Sequence, residues 1–229
     1  MELAPGIHQV DGVTSNVYLI VEPDGLTVID SGFMGSGPKI VAYIQKIGRQ
    51  PAEVRRILLT HQHVDHVGGA AALARVTGAA VLAHPLDAPA IAGNAAPLLP
   101  NNRLMAAVFR VFMLPRLDPV DVARTVEDGE TLPVLEEEGG LRVVATPGHT
   151  PGQIAFYLPS RRLLFAGDAY AHRGEHVVPP VAMFTRDMAE ARRSMATLAR
   201  LEIAASLPGH GAPILRDAGA RLAEAVKRG

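Results

Sequence analysis

The chain contains no cysteine. That absence excludes a disulfide framework, a thiolate nucleophile and any sulfur-ligated zinc, so a bound metal has to be held by nitrogen and oxygen donors. An excess of either charge is also missing. The formal net charge of the 229 residues is −1, which gives no broad attraction to phosphate backbones or anionic membranes. Nucleic acid is therefore not expected as a partner. Long hydrophobic runs are absent as well: the most apolar stretch, LMAAVF followed by Arg110 and VFML, is too short to span a bilayer. The opening MELAPGIHQVDG carries neither a basic leader nor a long apolar segment. A cytoplasmic protein without membrane association is the expectation.

What the chain does have is the composition of one α/β domain. Hydrophobic residues make up 48% of it, with 22 glycines and 18 prolines marking many turns. One sizeable core and a single domain over residues 1–229 are expected. Strand-like and helix-like segments alternate along it. NVYLIV and LTVID read as a hairpin turning at Pro23, Asp24 and Gly25. GPKIVAYIQKIG has apolar residues at helical spacing, and RRILLT reads as a buried strand. The second half repeats the plan loosely, since QIAFYL-PSRR-LLFAGD matches the first hairpin and each copy ends in an aspartate, Asp30 and Asp168. DMAEARRSMATLARLE and RDAGARLAEAVKRG read as helices around a further strand, IAASLP. Two similar halves of this kind predict two sheets packed face to face, with helices outside and a site between them.

The RRILLT strand delivers the chain into THQHVDHVGG, where His61, His63, Asp65 and His66 fall within six positions. Residues two apart in an extended loop point the same way, so His61 and His63 can reach one ion while a turn through Asp65 brings His66 toward a second. Further histidines, His149 and His210, follow strands in GHTPG and PGHG, and Asp168 ends the second hairpin. Imidazole suits zinc and iron, and a carboxylate can join two ions ~3.5–4 Å apart around a shared hydroxide. Five histidines and two aspartates make a complete donor set for two divalent metal ions.

The series His61-Gln62-His63-Val64-Asp65-His66, then His149, Asp168 and His210, resembles the HxHxDH…H…D…H ligand series of the metallo-β-lactamase superfamily. The resemblance extends to TVIDSG, GHTPG, FAGD and PGHG, and so covers nearly the whole chain. It implies a four-layered αβ/βα sandwich. It also implies one metal on His61, His63 and His149, a second on Asp65, His66 and His210, and Asp168 bridging both. Two Zn2+ ions are implied, with Fe or Mn as alternatives. Asp30 matches a supporting position that orients the ligand loop. The implied reaction is attack of a metal-bridging hydroxide on the carbonyl of a small ester, lactone or thioester, with Asp65 carrying the proton to the leaving group.

Departures from particular branches narrow this. β-Lactamases of the superfamily have a cysteine ligand or lack the bridging aspartate, so antibiotic hydrolysis is expected only as a weak, promiscuous activity. Glyoxalase II follows the same ligands with a helical glutathione-binding region, and RNase Z adds a basic arm; neither is evident here. Acyl-homoserine lactonases place a tyrosine shortly after the bridging aspartate, which makes Tyr170 a candidate donor to the developing oxyanion. Persulfide dioxygenases, which bind a single iron, resemble GDAYAHRG through Arg173 and Gly174, and oxygen chemistry is the alternative reading. His8, His84, His172 and His176 lie outside the pattern and are read as ordinary hydrogen-bonded or solvated side chains. A helical insertion near 94–125, NAAPLLPNNRLMAAVFRVFMLPRLDPVDV, with Asn101 or Asn102 as cap, forms either a lid over the metals or a homodimer interface.

Overall fold

The computed structural model describes residues 1–228. Its first sheet contains seven strands in chain order: β1 (Glu2–Ala4), β2 (Ile7–Gln9), β3 (Tyr18–Glu22), β4 (Gly25–Ile29), β5 (Val54–Leu58), β6 (Ala80–Ala83) and β7 (Arg124–Thr125). The first four pair antiparallel, and β4 to β7 run parallel. The β3–β4 hairpin turns at Pro23-Asp24, with Glu22 paired to Gly25. Parallel neighbours need crossovers. These are α1 (Gly37–Lys46), α2 (Val64–Val67), α3 (Ala70–Thr77), α4 (Ala88–Ile91) and the inserted α5 (Arg103–Val108).

The second sheet is built from β8 (Thr131–Leu132), β9 (Leu141–Ala145), β10 (Ile154–Leu158), β11 (Leu163–Gly167) and β14 (Ala205–Pro208), in the order β14-β11-β10-β9-β8. A separate ribbon of β12 (Ala171–Arg173) and β13 (His176–Val178) follows β11, and α6 (Met188–Leu198) and α7 (Ala218–Arg228) flank β14 in sequence.

Three apolar clusters define four layers. Alternate residues of β3 and β10 point to opposite faces, as a pleated strand requires. Tyr18, Ile20, Ile154, Phe156 and Leu158 therefore meet between the sheets. Leu19, Val28 and Ile57 pack outward on Ile40, Ile44 and Leu73 of α1 and α3. Ala155, Tyr157 and Leu164 pack outward on Met195, Leu198 and Leu222 of α6 and α7. Burial on both faces explains why these strands read as continuous apolar runs. The αβ/βα sandwich expected from the sequence is the fold observed. No helix among the described residues is long and apolar enough to cross a membrane.

Within the insertion, Asn102 caps α5 by accepting from Met105 N at 3.0 Å. Asn101 does something else: its amide donates to the carbonyls of Ala182 and Thr185 at 3.2 and 2.8 Å, tying the insertion to the loop after β13. A π-helical turn, Phe109–Met113, continues α5.

Candidate metal centre

All seven residues of the donor series converge at one end of the sandwich, on loops that leave strand ends. His61 and His63 follow β5, and His63 precedes the short α2 that carries Asp65 and His66. His149 follows β9, Asp168 follows β11, and His210 follows β14. Three overlapping groups, His61/His63/His149, His61/His66/Asp168 and Asp65/His66/His210, each have donor atoms within 4.8 Å of one another.

The ring nitrogens and carboxylate oxygens of these groups crowd together at short range. His63 Nδ1 lies 2.9 Å from His149 Nε2, and His66 Nε2 lies 3.4 Å from His210 Nε2. Asp168 stands between them, with Oδ1 3.4 Å from His66 Nε2 and Oδ2 3.4 Å from His149 Nε2 and 3.5 Å from His210 Nε2. Asp65 Oδ2 lies 3.1 Å from His210 Nε2. His61 Nε2 and Asp168 Oδ1 are buried without any hydrogen-bond partner. Orphaned buried polar atoms are costly unless an ion or water serves them. A nitrogen and oxygen donor set of this kind fits divalent metal.

In three of the five rings, His61, His66 and His149, the opposite nitrogen is held by a specific partner. His66 Nδ1 lies 2.8 Å from Asp30 Oδ2. The Thr60 hydroxyl donates to the same carboxylate, leaving its oxygen to accept from His61 Nδ1 at 3.0 Å. Thr185 donates to Val181 O and so accepts from His149 Nδ1 at 3.1 Å. Each arrangement leaves Nε2 free to face the cluster. Asp30, buried with φ of 58°, sits where its sequence position implied.

Electrostatics divide the histidines. Burial, and then repulsion among the neighbouring rings, holds His61 and His149 well below the ordinary imidazole range, and His63 is lowered to about 4 by burial. Burial also disfavours charge on His66, but Asp168, Asp30 and Asp65 outweigh it and raise that ring to about 10. His210 is raised despite burial, through its hydrogen bond to Asp65 and the charge of Asp168. Burial pushes Asp168 up, whereas Asp65 is held far below the carboxylate range because the histidines around it overcome its own desolvation.

Several contributors carried no motif. Asp87, fully buried in the loop after β6, accepts from Gln62 N at 3.0 Å, Gln62 Nε2 at 2.9 Å, Thr150 Oγ1 at 2.6 Å and Gly152 N at 2.9 Å. It thereby joins the His61–His63 loop to the His149 loop. Tyr18 and Asn16 both donate to Pro208 O, holding the His210 loop from the other sheet. Gly209 must be glycine, because a Cβ there would lie 2.2 Å from Asp168 Oδ1.

Tyr170 is not placed to act on a substrate. It is 1% exposed, its hydroxyl pairs with Ser206 Oγ at 2.8 Å, and it does not line the cavity beside the donors. The chain turns into β12 immediately after Asp168, which sends this ring into the apolar layer under α6 and α7. Arg173 is exposed on β12, also away from the cavity. His172 is buried, its Nδ1 2.8 Å from Ala212 O, as an ordinary hydrogen-bonded histidine.

The cavity has a volume of about 360 Å³ and opens onto His63, Asp65, His149, Asp168 and His210. The insertion contributes to its wall through Leu98, Phe109, Leu114 and Leu117, while Leu104, Val111 and Phe112 face outward and are exposed.

Known proteins share both fold and sequence with this chain. The family model of the metallo-β-lactamase superfamily matches residues 10–210. "Probable metallo-hydrolase YflN" of Bacillus subtilis is 30% identical over 93% of this chain and 86% of its own length. A hydroxyacylglutathione hydrolase of Rhodobacter capsulatus is 31% identical over 62% of this chain and 44% of its own. A crystal structure of a metallo-β-lactamase family protein from Thermus thermophilus superposes with a TM-score of 0.76 at 25% identity, covering 99% of this chain and 80% of that one. Fold, donor constellation and relatives agree that the chain belongs to the metallo-β-lactamase superfamily.

Proposed function

We propose that the protein is a dinuclear metal-dependent hydrolase acting on the carbonyl of an ester, lactone or thioester. The observation that carries this reading is the pair of facing imidazole groups with the Asp168 carboxylate between them and two buried donor atoms left without partners. His61, His63 and His149 would hold one ion, Asp65, His66 and His210 the other, and Asp168 would serve both. When bound, such ions polarise a carbonyl oxygen and make hydroxide available at neutral pH by lowering the pKa of water from ~15.7 to ~7. The donor set without sulfur suits zinc and also admits iron or manganese.

The chain's own part is orientation and proton handling. Thr60, Asp30 and Thr185 orient the rings of His61, His66 and His149, so these side chains need little movement on binding. Asp65 lines the cavity with its carboxylate ionised, which supports the reading that it would take a proton from water and pass it to the leaving group. Hydrolysis then places the water oxygen on the carbonyl carbon, breaks its bond to oxygen or sulfur, and sends the proton to the departing atom. No oxidant is consumed.

A second reading has one observation in its favour: His61, His66 and Asp168 form a two-histidine, one-carboxylate group, the kind that supports oxygen chemistry on a single iron. Metal analysis of protein purified without added metal, with a panel of thioester, lactone, ester and persulfide substrates, separates the two. The hydrolase reading expects two ions per chain and carbonyl hydrolysis; one iron with oxygen uptake on a persulfide would replace it.

A further inference from the structure

The wall facing the donors is built from Phe33, Leu98, Phe109, Leu114, Leu117 and Phe184. It is fastened rather than loose. Leu98 N donates to Gln62 Oε1 at 2.9 Å, and the Gln62 amide donates in turn to buried Asp87, so the wall hangs from the residue between His61 and His63. Phe109 packs on Phe184 with ring centroids 5.9 Å apart, and Asn101 ties the same two segments. Neither lysine nor arginine is among the described residues that line the cavity, and its ionisable groups, His63, Asp65, His149, Asp168 and His210, all belong to the donor cluster and none to the wall. Arg186 borders only a neighbouring recess, which shares Leu98 and Phe184 with it, and is exposed there.

The wall, as distinct from the donor cluster, selects against charge. A tail ending in a carboxylate against these side chains would lose its water without gaining a cation from them, whereas each methylene leaving water is favourable. We propose that the site takes an uncharged acyl compound with a linear apolar tail of several carbons, its carbonyl at the donor cluster and its tail against the wall supplied by the insertion. This inference rests on the hydrolase reading and names its substrate class.

The test uses S-acyl N-acetylcysteamine thioesters and the matching ethyl esters, from acetyl to octanoyl, each paired with an equally long acyl group ending in a carboxylate. Titration calorimetry with 2-alkanones of the same lengths, which lack a leaving group, measures binding without turnover in both the metal-loaded and the metal-free protein. The expected result is a rise in kcat/KM of about fourfold per methylene through the short members, with the same trend in ketone affinity. The carboxylate twins should be poorer by roughly 100-fold. Leu114→Arg, which sets a cation in the wall, should reverse that discrimination; Leu98→Arg repeats the test if the first variant melts early. Turnover that ignores tail length and charge, with flat ketone affinities, would overturn the inference and leave the hydrolase reading intact. Ketone affinity that rises with length while no ester or thioester is cleaved would keep the pocket's preference and remove the hydrolase reading.

Discussion

The two halves of the donor cluster solve one problem in opposite ways. His61, His63 and His149 are kept neutral by burial and mutual repulsion, with their loops fastened through Asp87 to amide and hydroxyl donors. The carboxylates work the other way on the second half: Asp168, Asp30 and Asp65 raise His66 to about 10, which keeps it charged in the absence of metal, and Asp65 and Asp168 raise His210. Neutral imidazole is ready to coordinate, whereas a charged one must first give up its proton. The first half is thus preorganised by packing and hydrogen bonds, and the second by a charge that a metal ion would replace.

Asp168 is where the halves meet, so Asp168→Ala should produce the largest effect. Both ions should be lost together, with turnover falling by roughly 10³-fold or more, since the charge stabilisation supplied by metal is worth several kcal/mol. Metal content by mass spectrometry and kcat on the best ester would check this, and a variant keeping two ions would separate the halves completely. Asp87→Ala should come next. It strands the donors of Gln62, Thr150 and Gly152, costing about 3 kcal/mol or more. In a chain of this length that corresponds to a fall in Tm of roughly 6–12 °C. The same variant should loosen the ion on His61, His63 and His149 more than the other, and equal loosening of both would mean that Asp87 does not belong to one half.

The third prediction reads the protons directly. In the metal-free protein His66 titrates near 10 instead of 6.5, so its contribution to stability is fully present below pH 6.5 and is lost as pH rises toward 10. His63, lowered to about 4, acts in the other direction: stability falls as pH drops from 6.5 through 4, because the unfolded chain takes up the proton first. A melting series should show a maximum near neutrality for the metal-free protein. At pH 8, loading the second site should release roughly one proton from His66, visible by calorimetry in buffers of different ionisation enthalpy. The smallest effect is expected from Tyr170→Phe. Loss of its hydrogen bond to Ser206 should cost ~1 kcal/mol and leave kcat and metal content unchanged.

These contrasts also mark what the sequence discloses. The donor series is legible because spacing in THQHVDH and three separate strand-end ligands is a chemical pattern. The β3–β4 and β10–β11 hairpins are legible because buried strands flanked by turns leave apolar runs. Asp87 is not legible, since a lone aspartate after a strand looks like a turn residue until the chain folds Gln62 and Thr150 onto it. The position of Tyr170 depends on the direction of one turn after Asp168, which spacing alone does not encode. The short ribbons β1–β2 and β12–β13 are likewise too brief to carry a periodic signal. In the insertion, apolar residues occupy both the cavity face and the outer face of a short helix, so its sequence could not say which side covers the donors.

The central claim is that two ions sit in two chemically different halves, and counting metal per chain in the parent and in Asp65→Asn tests it most directly. Saturated, dialysed parent protein should hold two ions, and Asp65→Asn should hold one, retained by His61, His63 and His149, with much reduced turnover. A parent that saturates at a single ion, or an Asp65→Asn protein that still holds two and turns over at the parent rate, would contradict the account.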